Sequence, residues 1–181
     1  MKQYKSAGGE QKAFNVMAKP AGPICNLDCI YCYYLEKEKL YPGSTNFEMS
    51  YELLEQFIKQ KIEAHNTPEV NFAWQGGEPT LLGVEYFKKV VELQNQYAGS
   101  KQINNSSQTN GVLLDNDWAE FFAVNNFLIG LSIDGPREFH DKYRINKGGK
   151  PSFDQVMRGL EFLKKHSVDF NTLTVVQAHN S

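Results

Sequence analysis

The stretch Cys25-Asn26-Leu27-Asp28-Cys29-Ile30-Tyr31-Cys32 contains all three cysteines of this 181-residue chain. Thiolates are the usual ligands of iron–sulfur clusters, and a [4Fe–4S] cluster has four irons to ligate. Three thiolates would therefore leave one iron without a protein ligand and open to a small chelating molecule. The compact spacing, with three residues and then two between the cysteines, predicts a single loop that wraps a cluster.

Two other interpretations of these cysteines remain open. An odd number of cysteines, in a sequence whose start lacks an apolar signal-peptide core, does not favour a disulfide framework. A structural zinc ion would need a fourth ligand, and the nearest histidine, His65, lies far along a predicted helix. Zinc is therefore the principal alternative to a cluster.

The composition is ordinary for a globular protein, with 41% hydrophobic and 22% charged residues. A formal net charge of −2 gives no reason to expect nucleic acid or an anionic membrane as a partner. No apolar run approaches the roughly 20 residues that span a bilayer. We therefore expect a cytoplasmic protein.

Hydrophobic periodicity predicts strands that alternate with helices along the chain. The run Phe127-Leu128-Ile129-Gly130-Leu131-Ser132-Ile133 is almost continuously apolar, which predicts a strand buried on both faces. Ser50 and Ser152 are predicted helix N-caps, and Leu53 belongs to the predicted apolar stripe of the first helix. The predicted strands span 14–19, 70–74, 101–109, 127–133 and 168–176, and the predicted helices span 51–65, 83–97, 115–124 and 153–166.

This alternation predicts an α/β fold with a parallel sheet. Polar motifs recur just after the predicted strands, where (β/α) barrels place their active sites. Five strands are too few for a closed barrel, which typically takes about 250 residues. We expect a lead-in over residues 1–13 that is flexible. We expect residues 14–181 to form a partial TIM barrel, truncated after about five strands, and to be the N-terminal part of a longer protein.

Several polar residues follow strand ends. Gly76 and Gly77 let the backbone approach a ligand closely, although a simple turn would also explain them. The guanidinium of Arg144 suits bidentate pairing with a carboxylate, the alternative being a solvated surface arginine. Asp134 is predicted mainly as a turn former beside Gly135. His140 lies near these motifs and receives no predicted role.

The cysteine spacing, with Tyr31 before the last cysteine, resembles the signature of the radical S-adenosylmethionine (SAM) superfamily. The resemblance implies a radical SAM type of partial TIM barrel and a [4Fe–4S] cluster on Cys25, Cys29 and Cys32. SAM would chelate the open iron and be cleaved to methionine and a 5′-deoxyadenosyl radical, which abstracts hydrogen from a substrate. The implied SAM contacts are the backbone of Tyr31 to adenine, the segment Gly76, Gly77 and Glu78 to the amino group, and Ser132 to the ribose or carboxylate. The guanidinium of Arg144 would pair with the SAM carboxylate.

Within this superfamily, longer segments resemble the anaerobic sulfatase-maturating enzymes, which oxidise a cysteine or serine of a sulfatase to Cα-formylglycine. The resemblance implies a sulfatase polypeptide as partner and a flavodoxin or ferredoxin type of electron donor. It also makes Tyr34, Gln108 and Asn110 candidates for a substrate cavity. The similar segments are Cys25 to Tyr34, Trp74 to Leu81, Gln108 to Gly111, Leu131 to Pro136 and His140 to Arg144.

The sequence departs from that family because no cysteine follows Cys32. The two auxiliary clusters of the family's C-terminal SPASM domain would have no ligands here, and the family's catalytic aspartate is expected outside this chain. We therefore predict that the chain alone does not convert a sulfatase peptide. The alternatives are another SPASM-type peptide maturase, which makes thioether or carbon–carbon crosslinks, and a non-enzymatic zinc-binding domain.

Overall fold

A computed structural model describes residues 14–44, 46–178 and 180. The predicted flexible lead-in over 1–13 lies outside these residues. None of the described helices is long and apolar enough to cross a membrane. The strands are β1 (Met17–Ala18), β2 (Glu69–Trp74), β3 (Gln102–Thr109), β4 (Leu128–Ser132) and β5 (Phe170–Leu173). The α-helices are α1 (Tyr51–Ala64), α2 (Gly83–Tyr97), α3 (Asn116–Val124), α4 (Arg137–Tyr143) and α5 (Phe153–Lys165), and short 3-10 helices span Lys37–Leu40 and Pro79–Leu82.

The strands form one parallel sheet in the chain order β1-β2-β3-β4-β5. The register places Ala73 of β2 beside Met17 on one side and Ser106 on the other. All carboxyl ends of the strands therefore meet at one edge of the sheet. This architecture confirms the predicted α/β partial barrel.

One face of the sheet carries the hydrophobic core, and the other face is open. In β2, Val70, Phe72 and Trp74 are buried, whereas Glu69 and Asn71 are exposed. The buried side chains pack against aromatic residues of the helices, with the rings of Trp74 and Phe87 in edge contact. Burial of each large apolar side chain contributes roughly 1.5–3 kcal/mol, so this face supplies most of the stability of the sheet.

Local signals explain where some helices begin. The Ser50 side chain accepts a hydrogen bond from the Leu53 backbone N–H at 3.3 Å, as predicted for an N-cap. Ser152 occupies the predicted N-cap position of α5, but its hydroxyl makes no capping bond. Instead, Asp141 Oδ1 accepts the backbone N–H groups of Ser152 (3.1 Å) and Phe153 (2.9 Å). The first turn of α5 is therefore held by a side chain from α4.

Two further predictions need correction. β4 is buried on one face only, since Leu128 is 41% exposed while Ile129 and Leu131 are fully buried. The cause is the open face of the sheet, which Leu128 shares. Leu53 is 52% exposed and lies outside the apolar stripe of α1. Helix α4 was not predicted.

Candidate active site

All the residues predicted as cluster, SAM or substrate contacts line one cavity of about 320 Å³ at the carboxyl edge of the sheet. The cysteine loop, the glycine segment after β2, the end of β3, the end of β4 and the residue after α4 each contribute to its wall. The parallel topology brings these segments together, although up to about 120 residues of sequence separate them. The predicted residues on this cavity are Cys25, Cys29, Cys32, Tyr31, Tyr34, Gly76, Gly77, Glu78, Gln108, Asn110, Ser132 and Arg144.

Backbone hydrogen bonds fix the cysteine loop against the segment that follows α4. The Asp28 N–H donates to the Ile145 carbonyl at 2.8 Å, and the Ile30 N–H donates to the Tyr143 carbonyl at 3.1 Å. Leu27 and Asn146 form an antiparallel bridge next to these bonds. The loop that carries the cysteines is thus held by a second segment, which the sequence did not reveal.

The three cysteine side chains are free thiols that share the cavity. Cys25 Sγ accepts the Leu27 backbone N–H at 3.4 Å, and Cys32 Sγ accepts the Tyr34 N–H at 3.4 Å. Burial raises the pKa of the Cys25 thiol to about 11, and burial likewise raises the pKa of Cys29 to about 11 against the opposing charge of Arg144. Binding of a metal would therefore release protons from these thiols.

The two glycines after β2 are required by close packing of the backbone. A Cβ on Gly77 would lie 1.9 Å from the Ile24 carbonyl oxygen, just before the cysteine loop. Gly76 has φ +92°, a left-handed conformation that glycine adopts at little cost. The Glu78 N–H donates to the same Ile24 carbonyl at 2.7 Å. The glycines thus allow the backbone before the cysteine loop to pack closely against the segment after β2. Contact of this segment with the amino group of SAM stays a prediction.

Glu78 is a fully buried carboxylate that joins two loops. Its Oε1 accepts from the Thr80 N–H (3.1 Å), the Thr80 hydroxyl (2.6 Å) and the Thr109 hydroxyl (2.7 Å), and its Oε2 accepts from the Asn110 N–H (2.7 Å). Burial raises the pKa of Glu78, and these donors act in the opposite direction. Because both oxygens are engaged, Glu78 mainly ties the end of β3 to the glycine segment.

Asp134 and Arg144 form a buried ion pair at the cavity wall. Arg144 Nε lies 2.9 Å from Asp134 Oδ2, and Nη2 lies 3.1 Å from Oδ1. The Tyr31 hydroxyl donates to the same carboxylate, and the Val175 N–H donates at 3.0 Å. Burial raises the pKa of Asp134, but the Arg144, Tyr31 and Val175 hydrogen bonds outweigh it and hold the pKa below its ordinary value.

This ion pair changes two of the predicted roles. The bidentate partner of Arg144 within the chain is Asp134, so two of its guanidinium nitrogens are already engaged; pairing of Arg144 with the SAM carboxylate stays a prediction. The turn after β4 depends on Gly135, at φ +92°. The Asp134 side chain reaches away from that turn to Arg144, which corrects its predicted role as a turn former.

His140 is fully buried and is linked by hydrogen bonds to the backbone of both residues of the ion pair, directly to Asp134 and through Ser152 to Arg144. The Ser152 hydroxyl donates its hydrogen to the Arg144 carbonyl at 2.6 Å. His140 Nε2, 3.1 Å from that hydroxyl, must therefore donate to it, while Nδ1 accepts the Asp134 N–H at 3.4 Å. Burial, with the nearby Arg144 charge, lowers the pKa of His140 to about 4, so the ring is neutral at pH 7.

The remaining predicted residues also line the cavity. Ser132 ends β4 and is buried. The Lys19 Nζ atom lies over the Tyr34 ring, 5.2 Å from its centroid. Gln108 accepts a hydrogen bond from Gln75. Gln75 and Thr109 also line the cavity and belong to the predicted segments Trp74 to Leu81 and Gln108 to Gly111, whereas Val175 lines it and had no predicted role.

A larger groove of about 510 Å³ lies between α2 and α3 on the outer surface, lined by residues such as Val84, Lys88 and Phe121. It brings together none of the predicted site residues.

In the described ranges, no group of three or more His, Cys, Asp or Glu side chains is placed to hold a single metal ion. A [4Fe–4S] cluster differs because each thiolate binds its own iron.

The fold and the site together define an α/β protein whose cavity combines a three-cysteine loop with polar groups from successive strand ends. A profile of the Radical SAM superfamily matches residues 20–180, and the chain belongs to this superfamily. The cofactors of the superfamily, a [4Fe–4S] cluster and SAM, fit the residues present. Three free thiols face one cavity, two of them with N–H donors on sulfur, and polar side chains line the rest of its wall.

Curated relatives are similar over most of this chain. A serine-type anaerobic sulfatase-maturating enzyme of Bacteroides thetaiotaomicron is 52% identical over 170 residues, which are 94% of this chain and 41% of the relative. A cysteine-type anaerobic sulfatase-maturating enzyme of Clostridium novyi is 40% identical, over 94% of this chain and 46% of the relative. The chain thus spans less than half the length of these relatives.

Solved structures have the same fold. A structure described as native anSMEcpe with bound AdoMet (SAM) superposes with a TM-score of 0.81 at 43% identity, covering 88% of this chain and 44% of the other. A second structure, of native anSMEcpe with bound AdoMet and a Cp18Cys peptide, has a TM-score of 0.80 at 42% identity, covering 89% of this chain and 42% of the other.

Proposed function

We propose that this chain carries a [4Fe–4S] cluster on Cys25, Cys29 and Cys32, binds SAM, and serves the oxidation of a sulfatase cysteine or serine to Cα-formylglycine. One observation carries the proposal: the three thiols and every predicted SAM contact line a single cavity. Relatives named as sulfatase-maturating enzymes support the choice of reaction. When bound, the cluster and SAM supply one-electron reduction and hydrogen-atom abstraction.

The residues of the chain would position these groups. The N–H groups of Leu27 and Tyr34 donate to two of the ligand sulfurs and orient them. Glu78 holds the ends of β2 and β3 together beneath the cavity. The Asp134–Arg144 pair places a fixed, internally balanced charge at the wall, close to Tyr31.

The partners follow from the proposed reaction. The substrate is a sulfatase polypeptide, and Tyr34, Gln108 and Asn110 line the cavity that would receive it. An external one-electron donor of the flavodoxin or ferredoxin type would reduce the cluster. Free thiols and an oxygen-sensitive cluster suit the cytoplasm, which we propose as the compartment.

Electron paramagnetic resonance (EPR) tests the cofactor part of the proposal. The chain is reconstituted anaerobically with iron and sulfide, reduced with dithionite, and measured with and without SAM. We expect a [4Fe–4S]⁺ signal that shifts when SAM binds, formation of 5′-deoxyadenosine, and loss of both in Cys29→Ser. A colourless folded protein that contains zinc would support the zinc-binding alternative and overturn the proposal.

The substrate part needs a longer protein. The chain is joined to the C-terminal part of the Bacteroides thetaiotaomicron relative and incubated with SAM, reductant and sulfatase peptides that contain cysteine or serine. We expect mass spectrometry to show formylglycine with the chimera and none with the chain alone. Cleavage of SAM by an active chimera that leaves both peptides unchanged would contradict the choice of substrate and favour another peptide maturase.

A further inference from the structure

Asn110 connects the end of β3 to the cysteine loop. Its backbone N–H donates to Glu78 Oε2 at 2.7 Å. Its side-chain Nδ2 lies 3.6 Å from Cys25 Sγ and 2.7 Å from Asn26 Oδ1. The residue is buried, so these bonds do not compete with bulk water.

The orientation of the Asn110 amide follows from its hydrogen bonds. The Val112 N–H donates to Asn110 Oδ1 at 3.0 Å, so this oxygen already acts as an acceptor. The –NH₂ end must then face the cysteine loop, where its two hydrogens have two acceptors, Asn26 Oδ1 and Cys25 Sγ. A reversed amide would place –NH₂ against the Val112 N–H, which is unfavourable.

Among the described residues, Cys25 is the cysteine whose sulfur accepts a side-chain donor as well as a backbone one. N–H···S bonds to a ligand sulfur withdraw electron density and favour the reduced cluster, and hydrogen bonds to the sulfurs are a known determinant of cluster potentials. We propose that Asn110 orients Cys25 and raises the reduction potential of the cluster through its N–H···S bond. This inference rests on the proposed cluster.

Two substitutions separate the donor from the shape of the side chain. Asn110→Leu removes the donor without adding charge. Asn110→Asp keeps the size and the acceptor for Val112, but it replaces –NH₂ with an oxygen that cannot donate. Asn104→Leu is the matched control, because Asn104 lies on β3, the strand that Asn110 follows, and bonds Asn71 on the open face of the sheet.

The readout is an EPR-monitored redox titration of the reconstituted chain, whose three cysteines all belong to the loop, so the signal has one source. At a fixed potential we expect the ratio of reduced to oxidised cluster to fall about threefold to tenfold in Asn110→Leu. A tenfold fall corresponds to about 59 mV for one electron. In Asn110→Asp the ratio should fall further, because aspartate adds a negative charge. In Asn104→Leu the ratio should match that of the wild type.

Each outcome decides the inference. If the wild-type chain holds a cluster and its potential is unchanged in Asn110→Leu, the inference is overturned and the proposed cluster stands, whatever the added charge does in Asn110→Asp. Absence of any cluster from the folded wild-type chain overturns both. If both Asn110 variants fail to hold iron, pulsed EPR on wild-type chain with ¹⁵N-labelled asparagine side chains decides the matter. Hyperfine coupling that persists in Asn26→Asp supports the inference, and its absence overturns it.

Discussion

Glu78 shows how a single side chain organises this site. Its carboxylate is fully buried, yet four donors from Thr80, Thr109 and Asn110 satisfy its two oxygens. Two of these donors come from the end of β3, so the carboxylate fixes the distance between two segments of the cavity wall. The next residue along this path, Asn110, reaches Cys25.

We expect Glu78→Gln to destabilise the fold by about 2 kcal/mol, the cost of leaving a buried polar group without a partner. The –NH₂ group of glutamine cannot accept from Asn110 N–H while the carbonyl keeps the three bonds of Oε1. Urea unfolding at pH 7 measures the change. Glu63→Gln, at an exposed position of α1, is the control and should change stability little. Equal stability of the two variants would refute the role given to Glu78.

His140 should make the stability of the fold depend on pH. Its pKa is about 4 in the folded chain and about 6.5 in an unfolded one, so the unfolded state binds the proton first as pH falls. The stabilisation is complete above pH 6.5 and is lost towards pH 4, and the loss amounts to about 2 kcal/mol between pH 7 and pH 5.

Urea unfolding at pH 7 and pH 5 measures this loss. His140→Gln has no imidazole to protonate, so its free energy of unfolding should fall less between the two pH values than that of the wild type. His166→Gln, at a partly exposed position after α5, is the control and should keep the wild-type slope. A His140→Gln slope equal to the wild-type slope would show that His140 does not titrate as described.

Motifs located most cavity residues from the sequence because these residues lie at the ends of strands or just after them, and parallel strands end at one edge of the sheet. The Asp134–Arg144 pair could not be predicted in this way. Asp134 and Arg144 lie ten residues apart in the sequence, with a turn and a short helix between them. The sequence does not show which carboxylate an arginine binds. The tautomer of the neutral His140 ring depends on contacts between α4, the segment after β4 and the start of α5. Hydrophobic periodicity does not predict such contacts.

At the scale of the elements, helix α5 packs unusually close to the loop after β3. A Cβ on Gly159 would lie 2.3 Å from the Gly111 carbonyl oxygen and 3.2 Å from Leu114 Cβ. Alanine is preferred over glycine inside a helix by about 1 kcal/mol. Overpacking against backbone typically costs about 1–3 kcal/mol, and here the contact is with a carbonyl that cannot rotate away.

We therefore expect Gly159→Ala to lower the free energy of unfolding by about 1–2 kcal/mol, against its helix propensity. Thermal and urea unfolding measure the change. Glu161→Ala, at an exposed position of the same helix, tests propensity alone and should leave stability within about 0.5 kcal/mol. A stabilised Gly159→Ala variant would mean that α5 lies farther from the loop.

Long periodic elements were predictable, and short or edge elements were not. The predicted helix 83–97 matches α2 at both ends, because a sustained apolar stripe marks it. Helix α4 has seven residues, which is too short for a periodic signal. Strands β1 and β5 are shorter than predicted, since only part of each extended segment pairs with its neighbour in the sheet. Pairing, unlike propensity, depends on the partner strand.

At the scale of the whole molecule, the sheet has one covered face and one open face. The open face carries polar groups such as Asn71 and Asn104, which bond each other at 2.9 Å. The order of strands along the chain determines which loops share the cavity, and this order follows from the alternation of strands and helices. The partial barrel was therefore predictable as a class, whereas the one-sided burial of β4 depended on the openness of the sheet.

The edge of the sheet at β5 should make the chain self-associate. Among the described residues β5 pairs with β4 alone, and an unpaired edge offers backbone groups to another chain. Val176, just after this strand, is 71% exposed. We expect concentration-dependent association in sedimentation velocity. We expect Val176→Lys to weaken this association about tenfold, because association would bring the lysine charge into the contact.

Val124→Lys is the matched control, since Val124 is 73% exposed on α3, beside the outer groove. Dissociation by Val124→Lys with no effect of Val176→Lys would assign the contact to that groove and reject the strand edge.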